Sequence, residues 1–252
     1  MASTAGHNAV EDFTALDLGS VALLLDVDGT LIDIGPSPFE VDVPASLCQS
    51  LERLLELTGG ALALVSGRPI RDIDKLFAPL KLPAIGGHGA ELRARGLEIT
   101  SRAKPLPDKF RKQLTQAAGA AAGVVVEDKG YSVALHYRKA PQQERRLRAL
   151  AQAALADLPG EAIEVLPGKA MFEIKRTGLN KGEAVHALMS QAPFAGRTPV
   201  FVGDDVTDET VFAVLPALAG KGYSVSLPYP GLAGIFATPE AVRETLRRLA
   251  SH

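Results

Sequence analysis

The run Val21–Leu31, VALLLDVDGTL, constrains the fold more than any other part of the chain. Its first five residues are apolar and lead into Asp26. A short run of this kind fits a strand buried on both faces of a parallel sheet. Asp26 then falls at the C-terminal end of the strand, the edge where open α/β sheets place their chemistry. Asp28 follows at i+2, so the two carboxylates converge once the chain bends, and Gly29 permits that bend without steric cost. An ordinary strand ending in an acidic turn has the same local pattern. Segments further along decide between the two.

Three such segments follow in order. Ser66 closes the apolar run Ala61–Val65 and precedes Gly67-Arg68-Pro69. Lys181 opens a helical pattern after Leu179-Asn180. Asp204, Asp205 and Asp208 follow the strand-like run Pro199–Gly203. Each has a plain structural reading: Ser66 can start a turn, Lys181 can be a solvated helix residue, and Asp204-Asp205 can cap the next helix. A lysine at a helix start, however, opposes the macrodipole, and an anion held there offsets that cost. Two adjacent acids plus Asp208 exceed what a cap needs.

Taken together and in this order, the four segments resemble the motifs of the haloacid-dehalogenase-like (HAD) phosphohydrolases: a DxDxT run, a Ser or Thr, a Lys and an acidic cluster on a Rossmann-like parallel sheet. The resemblance implies an α/β fold and a role for each residue. Asp26 is the expected nucleophile, forming an aspartyl-phosphate. Asp28 is expected to protonate the leaving oxygen and then activate water. Thr30 positions the loop, Ser66 donates to the phosphoryl group, and Lys181 neutralises its charge. The expected cofactor is Mg²⁺, a hard cation suited to oxygen ligands. Asp26, the backbone carbonyl of Asp28 and Asp204 are its expected ligands, with Asp205 and Asp208 in support.

The rhythm of the sequence changes near Lys104. Before it lie a short helix around Val10–Leu18, the first strand, a turn at Gly35–Pro38, and a helix over Ala45–Leu57 with Leu47, Leu51, Leu54 and Leu55 on one stripe. Strand Ala61–Val65, a helix over Pro69–Lys75, a short strand Pro83–Gly86 and a tight Gly86–Gly89 loop follow. Residues 104–177 then read as αββαββ: helix 107–119, strands Val124–Glu127 and Ser132–His136, helix Gln142–Ala156, and strands Ile163–Leu166 and Phe172–Lys175. Alternation in Ser132–Tyr137 predicts a half-exposed antiparallel sheet. Residues 178–252 return to α/β, with helix Lys181–Met189, strand Pro199–Val202, a helix after Asp208, strand Tyr223–Ser226 and helix Glu240–Ala250. The expected organisation is a core of residues 1–103 and 178–252 interrupted by an inserted α+β cap.

Finer segments narrow the resemblance. Ser66-Gly67-Arg68-Pro69, Gly87-His88-Gly89-Ala90-Glu91, Glu127-Asp128-Lys129, Leu135-His136-Tyr137-Arg138, Pro167-Gly168-Lys169, Phe172-Glu173-Ile174-Lys175 and Gly203-Asp204-Asp205-Val206-Thr207-Asp208-Glu209 are similar to the trehalose-6-phosphate phosphatase family from about Val21 to Leu249. That likeness implies a C2B-type cap that closes over a phosphorylated disaccharide and reads its hydroxyls. The expected substrate contacts are Ser66, Gly67, Arg68, His88, Gly89, Glu127, Lys129, Arg138, Lys169 and Glu173. Lys and Glu suit the task because a sugar presents many hydroxyls that both donate and accept. A solvated salt-bridge lattice on the cap sheet is the competing reading. A phosphatase for sucrose 6-phosphate or mannosyl-3-phosphoglycerate and a noncatalytic sugar-phosphate sensor are the competing functions.

Composition bears on partners. With 27 Lys plus Arg against 29 Asp plus Glu, the formal net charge is -2. No basic stripe with aromatic platforms points to nucleic acid. No apolar stretch approaches the roughly 20 residues of a membrane span, and no basic segment leads into an apolar one near the N-terminus. A cytoplasmic enzyme acting on a small sugar phosphate, monomeric or weakly associated, is the expectation. Cys48 is the single cysteine, so an intrachain disulfide is excluded.

Overall fold

The computed structural model describes residues 11–35, 40–156, 158, 160–168 and 170–251. Residues 36–38 of the expected turn and Lys169 lie outside them. The described chain divides into two compact units, residues 1–102 with 180–252 and residues 103–179.

In the first unit, β1 (Val21–Asp26) is buried along its whole length. Parallel neighbours on both sides remove it from water: β2 (Leu62–Val65), with Asp26 opposite Val65, and β10 (Thr198–Gly203), with Leu25 opposite Val202. The same sheet continues through β3 (Ala84–Gly86) on one side and β11 (Lys221–Val225) and β12 (Gly234–Phe236) on the other, all parallel. Beyond β3 the sheet turns antiparallel through β4 (Glu91–Arg93) and β5 (Thr100–Ser101). These last two strands and β12 were not expected from sequence. At two or three residues each, they are too short to carry a period-two pattern.

Alternate residues of β1 point to opposite faces and meet different helices. Leu23 and Leu25 join Leu47, Leu51 and Leu54 of α1 (Ala45–Leu57) and Val242, Leu246 and Leu249 of α7 (Pro239–Leu249). Leu24 packs with Ala184, Val185 and Leu188 of α5 (Lys181–Leu188) and Val211 and Phe212 of α6 (Glu209–Val214). A further helix, α2 (Ile70–Leu76), follows β2. Helices cover both faces, so the strands read as continuous apolar runs. Each fully buried leucine contributes about 1.5–3 kcal/mol relative to exposure.

The second unit is a four-stranded antiparallel sheet in the order β6-β7-β9-β8: β6 (Val125–Asp128), β7 (Ser132–His136), β9 (Met171–Arg176) and β8 (Ile163–Gly168). Val133, Leu135, Phe172 and Ile174 pack on Phe110 and Leu114 of α3 (Asp108–Gly119) and Leu147 and Ala151 of α4 (Glu144–Ala156). The opposite face of β7 was expected to be exposed, yet Ser132 and Ala134 are buried as well. Ala134 sits directly between Glu127 and Glu173 in the register, so a small side chain lies sunk among longer ones.

Candidate active site

Because β1, β2 and β10 are parallel, the chain leaves all three at the same edge of the sheet. Asp26 ends β1, Ser66 follows β2, and Asp204 follows β10. Lys181 joins them from α5, whose N-cap Asn180 accepts the Glu183 N–H at 2.8 Å and so fixes the first turn. The Lys181 ammonium donates to Asp26 Oδ1 and to Asp208 Oδ1, both at 2.7 Å. Two carboxylates therefore supply the negative charge that a lysine at a helix start requires.

Asp208 is a brace as well as a charge. Its second oxygen accepts the backbone N–H groups of Asp204 and Asp205 at 2.9 and 3.0 Å. The Asp205 side chain accepts the Val206 N–H and completes a capping box with Asp208. Of the acidic run, then, Asp205 works as a cap, Asp208 as a strut, and Asp204 is presented toward Asp26. Asp26, Asp204 and Asp208 each bring an oxygen to within 4.8 Å of the others. Thr30 Oγ1 stands 3.5 Å from Asp204 Oδ1.

Gly29 has φ of +88°, and a Cβ there would lie 2.2 Å from the Asp204 carboxylate. The turn after β1 thus needs glycine twice, for its left-handed backbone and for the room Asp204 occupies. Asp26 is 4 % exposed, and its Oδ2 is buried with no hydrogen-bond partner among the described residues. A buried carboxylate oxygen without a donor is costly. Burial, and then the neighbouring Asp208 and Asp204 charges, hold the Asp26 carboxyl well above the usual carboxylate range, against the opposing pull of Lys181. For Lys181, burial pushes the ammonium pKa down, but Asp208 and Asp26 outweigh it and hold it above the ordinary lysine value. The carboxylate cluster, carrying an unsatisfied hard oxygen, suits a cation with oxygen ligands.

Arg68 grips the Asp28 carboxylate with two bonds of 2.7 and 2.5 Å, and its backbone N–H donates to Ser66 Oγ at 3.0 Å. His88 (φ of +54°) lays its ring where a Cβ on Gly67 would come within 2.3 Å of it. A Cβ on Gly89 would lie 2.4 Å from the carbonyl oxygen of Asn180. The Ser66–Arg68 and Gly87–Gly89 loops are tied together by Gly87 N–H to Arg68 O and His88 N–H to Ser66 O. Glu91 accepts the Ile70 N–H at 2.6 Å and satisfies the first turn of α2.

In the second unit, Lys129 Nζ lies 3.1 Å from Glu173 Oε1 and 4.0 Å from Glu127 Oε2. Ser132 Oγ donates to Glu173 Oε1 at 2.7 Å, and His136 Nε2 lies 3.3 Å from Glu127 Oε2. Burial raises the Glu127 pKa, but the His136 hydrogen bond and then Lys129 bring it to a net value below the usual one. Glu127, Lys129 and Glu173 therefore form one cluster, while Arg138 lies on the exposed turn after β7. The Arg68–Asp28 pair and the part played by Ser132 were absent from the expectations. Ser132 was legible in principle: it shares β7's face with Ala134 and His136, and Ala134 pairs with Glu173 across the strands.

A doubly wound parallel sheet with the acidic cluster at its carboxyl edge, and an antiparallel α+β insert, define the haloacid-dehalogenase-like fold with a cap. The chain belongs to the trehalose-phosphatase family, whose pattern matches residues 24–228. It is 41 % identical over 247 residues to a probable trehalose-phosphate phosphatase of Sinorhizobium fredii, spanning 95 % of this chain and 92 % of that protein. It is 43 % identical over 208 residues to the trehalose-6-phosphate phosphatase of Escherichia coli, spanning 81 % of this chain and 77 % of that one. The C-terminal domain of a Candida albicans trehalose-6-phosphate phosphatase has the same fold, with a TM-score of 0.75 at 20 % identity over 96 % of this chain and 95 % of that one. Among the described residues no helix is long and apolar enough to cross a membrane.

Proposed function

We propose that this protein hydrolyses trehalose 6-phosphate to trehalose and phosphate in a Mg²⁺-dependent reaction that passes through an aspartyl-phosphate on Asp26. The observation that carries this reading is Asp26 itself, a buried carboxylate with one oxygen held by Lys181 and the other without a hydrogen-bond partner among the described residues. Such an oxygen is oriented for attack on phosphorus. In the first step it forms a P–O bond as the sugar oxygen leaves, and Asp28 gives that oxygen a proton. In the second step Asp28 takes a proton from water, whose oxygen displaces Asp26 from phosphorus and releases inorganic phosphate. Ser66 donates to a phosphoryl oxygen and Lys181 balances its charge.

Asp26, Asp204 and the backbone carbonyl of Asp28 would hold Mg²⁺, with Asp205 and Asp208 bracing the loop. Bound there, the cation offsets repulsion between the carboxylate and an already anionic phosphoryl group. The cluster of Glu127, Lys129 and Glu173 reads sugar hydroxyls, together with Lys169 and Arg138. Gly67, Arg68, His88 and Gly89 contribute to the substrate-facing loops.

The test is phosphate release with Mg²⁺ from trehalose 6-phosphate, sucrose 6-phosphate, glucose 6-phosphate and mannosyl-3-phosphoglycerate. A marked preference for the first supports the assignment. Faster release from any of the others, or none from all four, rejects it.

A further inference from the structure

Glu173 sits near the middle of the cap sheet and is 1 % exposed. A carboxylate there loses most of its hydration and needs donors to stay ionised. Among the described residues, the Lys129 ammonium at 3.1 Å and the Ser132 hydroxyl at 2.7 Å meet it on the same oxygen, Oε1. They arrive from different places, Lys129 from just past the end of β6 and Ser132 from the start of β7. A single donor leaves a carboxylate free to swing about that bond. Two donors on one oxygen fix the plane of the group, and with it the direction of Oε2.

Ser132 is itself 1 % exposed, so its hydroxyl has little water to turn to. Its carboxylate partner also makes it the shorter and stronger kind of bond. The Glu127 carboxylate of the same cluster is held in a parallel way. His136, on the same face of β7, lies 3.3 Å from Glu127 Oε2. Ala134 stands between the two carboxylates in the register, opposite Glu127 on one side and Glu173 on the other. One strand thus carries an orienting group for each carboxylate and a small residue separating them.

We infer that Ser132 is a positioning residue for substrate recognition: its hydroxyl fixes the orientation in which Glu173 meets the sugar. This rests on the reading above that Glu173 contacts the disaccharide. The ammonium supplies charge, which acts at a distance and with little directionality, whereas the hydroxyl supplies direction. Loss of Ser132 therefore weakens recognition of the sugar and leaves the phosphoryl chemistry in the first unit alone.

The experiment compares purified wild type, Ser132→Ala, Ser132→Thr, Glu173→Gln and the double variant Ser132→Ala/Glu173→Gln. Substrates are trehalose 6-phosphate and p-nitrophenyl phosphate, which has no sugar. Ser132→Ala is expected to raise KM for trehalose 6-phosphate about tenfold, the size of one lost charge-assisted hydrogen bond. Its kcat, and the kcat/KM on p-nitrophenyl phosphate, stay within about twofold of wild type. Ser132→Thr, which keeps the hydroxyl, restores most of the KM, and the double variant is no worse than Glu173→Gln alone because the partner is already altered. If Ser132→Ala does not fold, Ser132→Cys, of similar size but with a weak donor, is measured in its place against the same expectation. An unchanged KM in a variant lacking the hydroxyl, or an equal loss on both substrates, overturns the inference. An unchanged KM in Glu173→Gln overturns the underlying reading instead, so the two failures are told apart.

Discussion

Replacing Asp26 with asparagine is expected to abolish turnover and at the same time to make the metal-free protein more stable. The sign follows from the charges around it. At an effective dielectric of ~20, the ammonium at 2.7 Å attracts the carboxylate by roughly 6 kcal/mol. Asp204 and Asp208, with oxygens no more than 4.8 Å away, each repel it by roughly 3.5 kcal/mol or more. Attraction and repulsion nearly cancel, so the cost of burying the charge stays uncompensated. Asparagine keeps the shape and an oxygen for Lys181 while removing that cost, and Lys181 remains paired with Asp208. Replacing a whole buried ion pair by neutral groups is neutral or stabilising by about 1–4 kcal/mol, and because Lys181 keeps Asp208 as its partner the same sign is expected for Asp26→Asn. A gain of about 2 kcal/mol corresponds to a rise of ~4–8 °C in Tm for a chain of this size.

Thermal unfolding of the chelator-treated proteins measures this gain, and phosphate release measures the loss of activity. The pH dependence supplies a second check. A carboxyl whose folded-state pKa is raised, as that of Asp26 is, contributes stability that is present at low pH and lost as pH rises through the folded value. The advantage of Asp26→Asn therefore appears at neutral pH and closes on acidification. A variant less stable than wild type in chelator at neutral pH would refute the reasoning, because Asp26 would then be a net stabilising charge.

Other substitutions test the remaining parts. Lys181→Met leaves Asp26 and Asp208 without their shared cation and is expected to cost about 3–5 kcal/mol of stability, read from denaturant unfolding. Gly29→Ala drives a methyl into the Asp204 carboxylate, so the Mg²⁺ concentration for half-maximal activity should rise at least about tenfold, equal to ~1.4 kcal/mol of lost binding; an unchanged metal titration counts against Asp204 as a ligand. Asp28→Asn should slow the first step on a sugar phosphate by about 10²–10⁴, read as single-turnover release of the sugar, while sparing single-turnover release of p-nitrophenolate, which needs no proton to leave; the shared second step slows on both substrates. Equal losses in the first step on both substrates would mean that Asp28 is not the general acid.

The parts of the fold legible in the sequence were those with one dominant physical cause. Val21–Leu25 and Ala61–Val65 read as strands because burial on both faces demands unbroken apolar runs. Helix Ala45–Leu57 was evident from the spacing of Leu47, Leu51 and Leu54. Strands β4, β5 and β12 escaped because each is held by its neighbours' backbone rather than by a pattern of its own. Within the site, residue types and order pointed to Asp26, Lys181 and the acidic run. How that run divides its labour could not be read from order alone, because Asp204, Asp205 and Asp208 are the same residue type. Only geometry separates the cap, the strut and the residue facing Asp26. The Arg68–Asp28 pair spans 40 positions and leaves no local trace in sequence.

Covalent capture of the phosphoryl group tests the central claim most directly. Trehalose 6-phosphate labelled at phosphorus is mixed with the Mg²⁺-loaded enzyme and quenched in acid within a single turnover, and the protein is then digested and mapped. The label is expected on the peptide that contains Asp26, stable in acid and removed by hydroxylamine, as an acyl phosphate is, and absent from Asp26→Asn. Phosphate released at full rate with no labelled protein, or label carried by another residue, would contradict it.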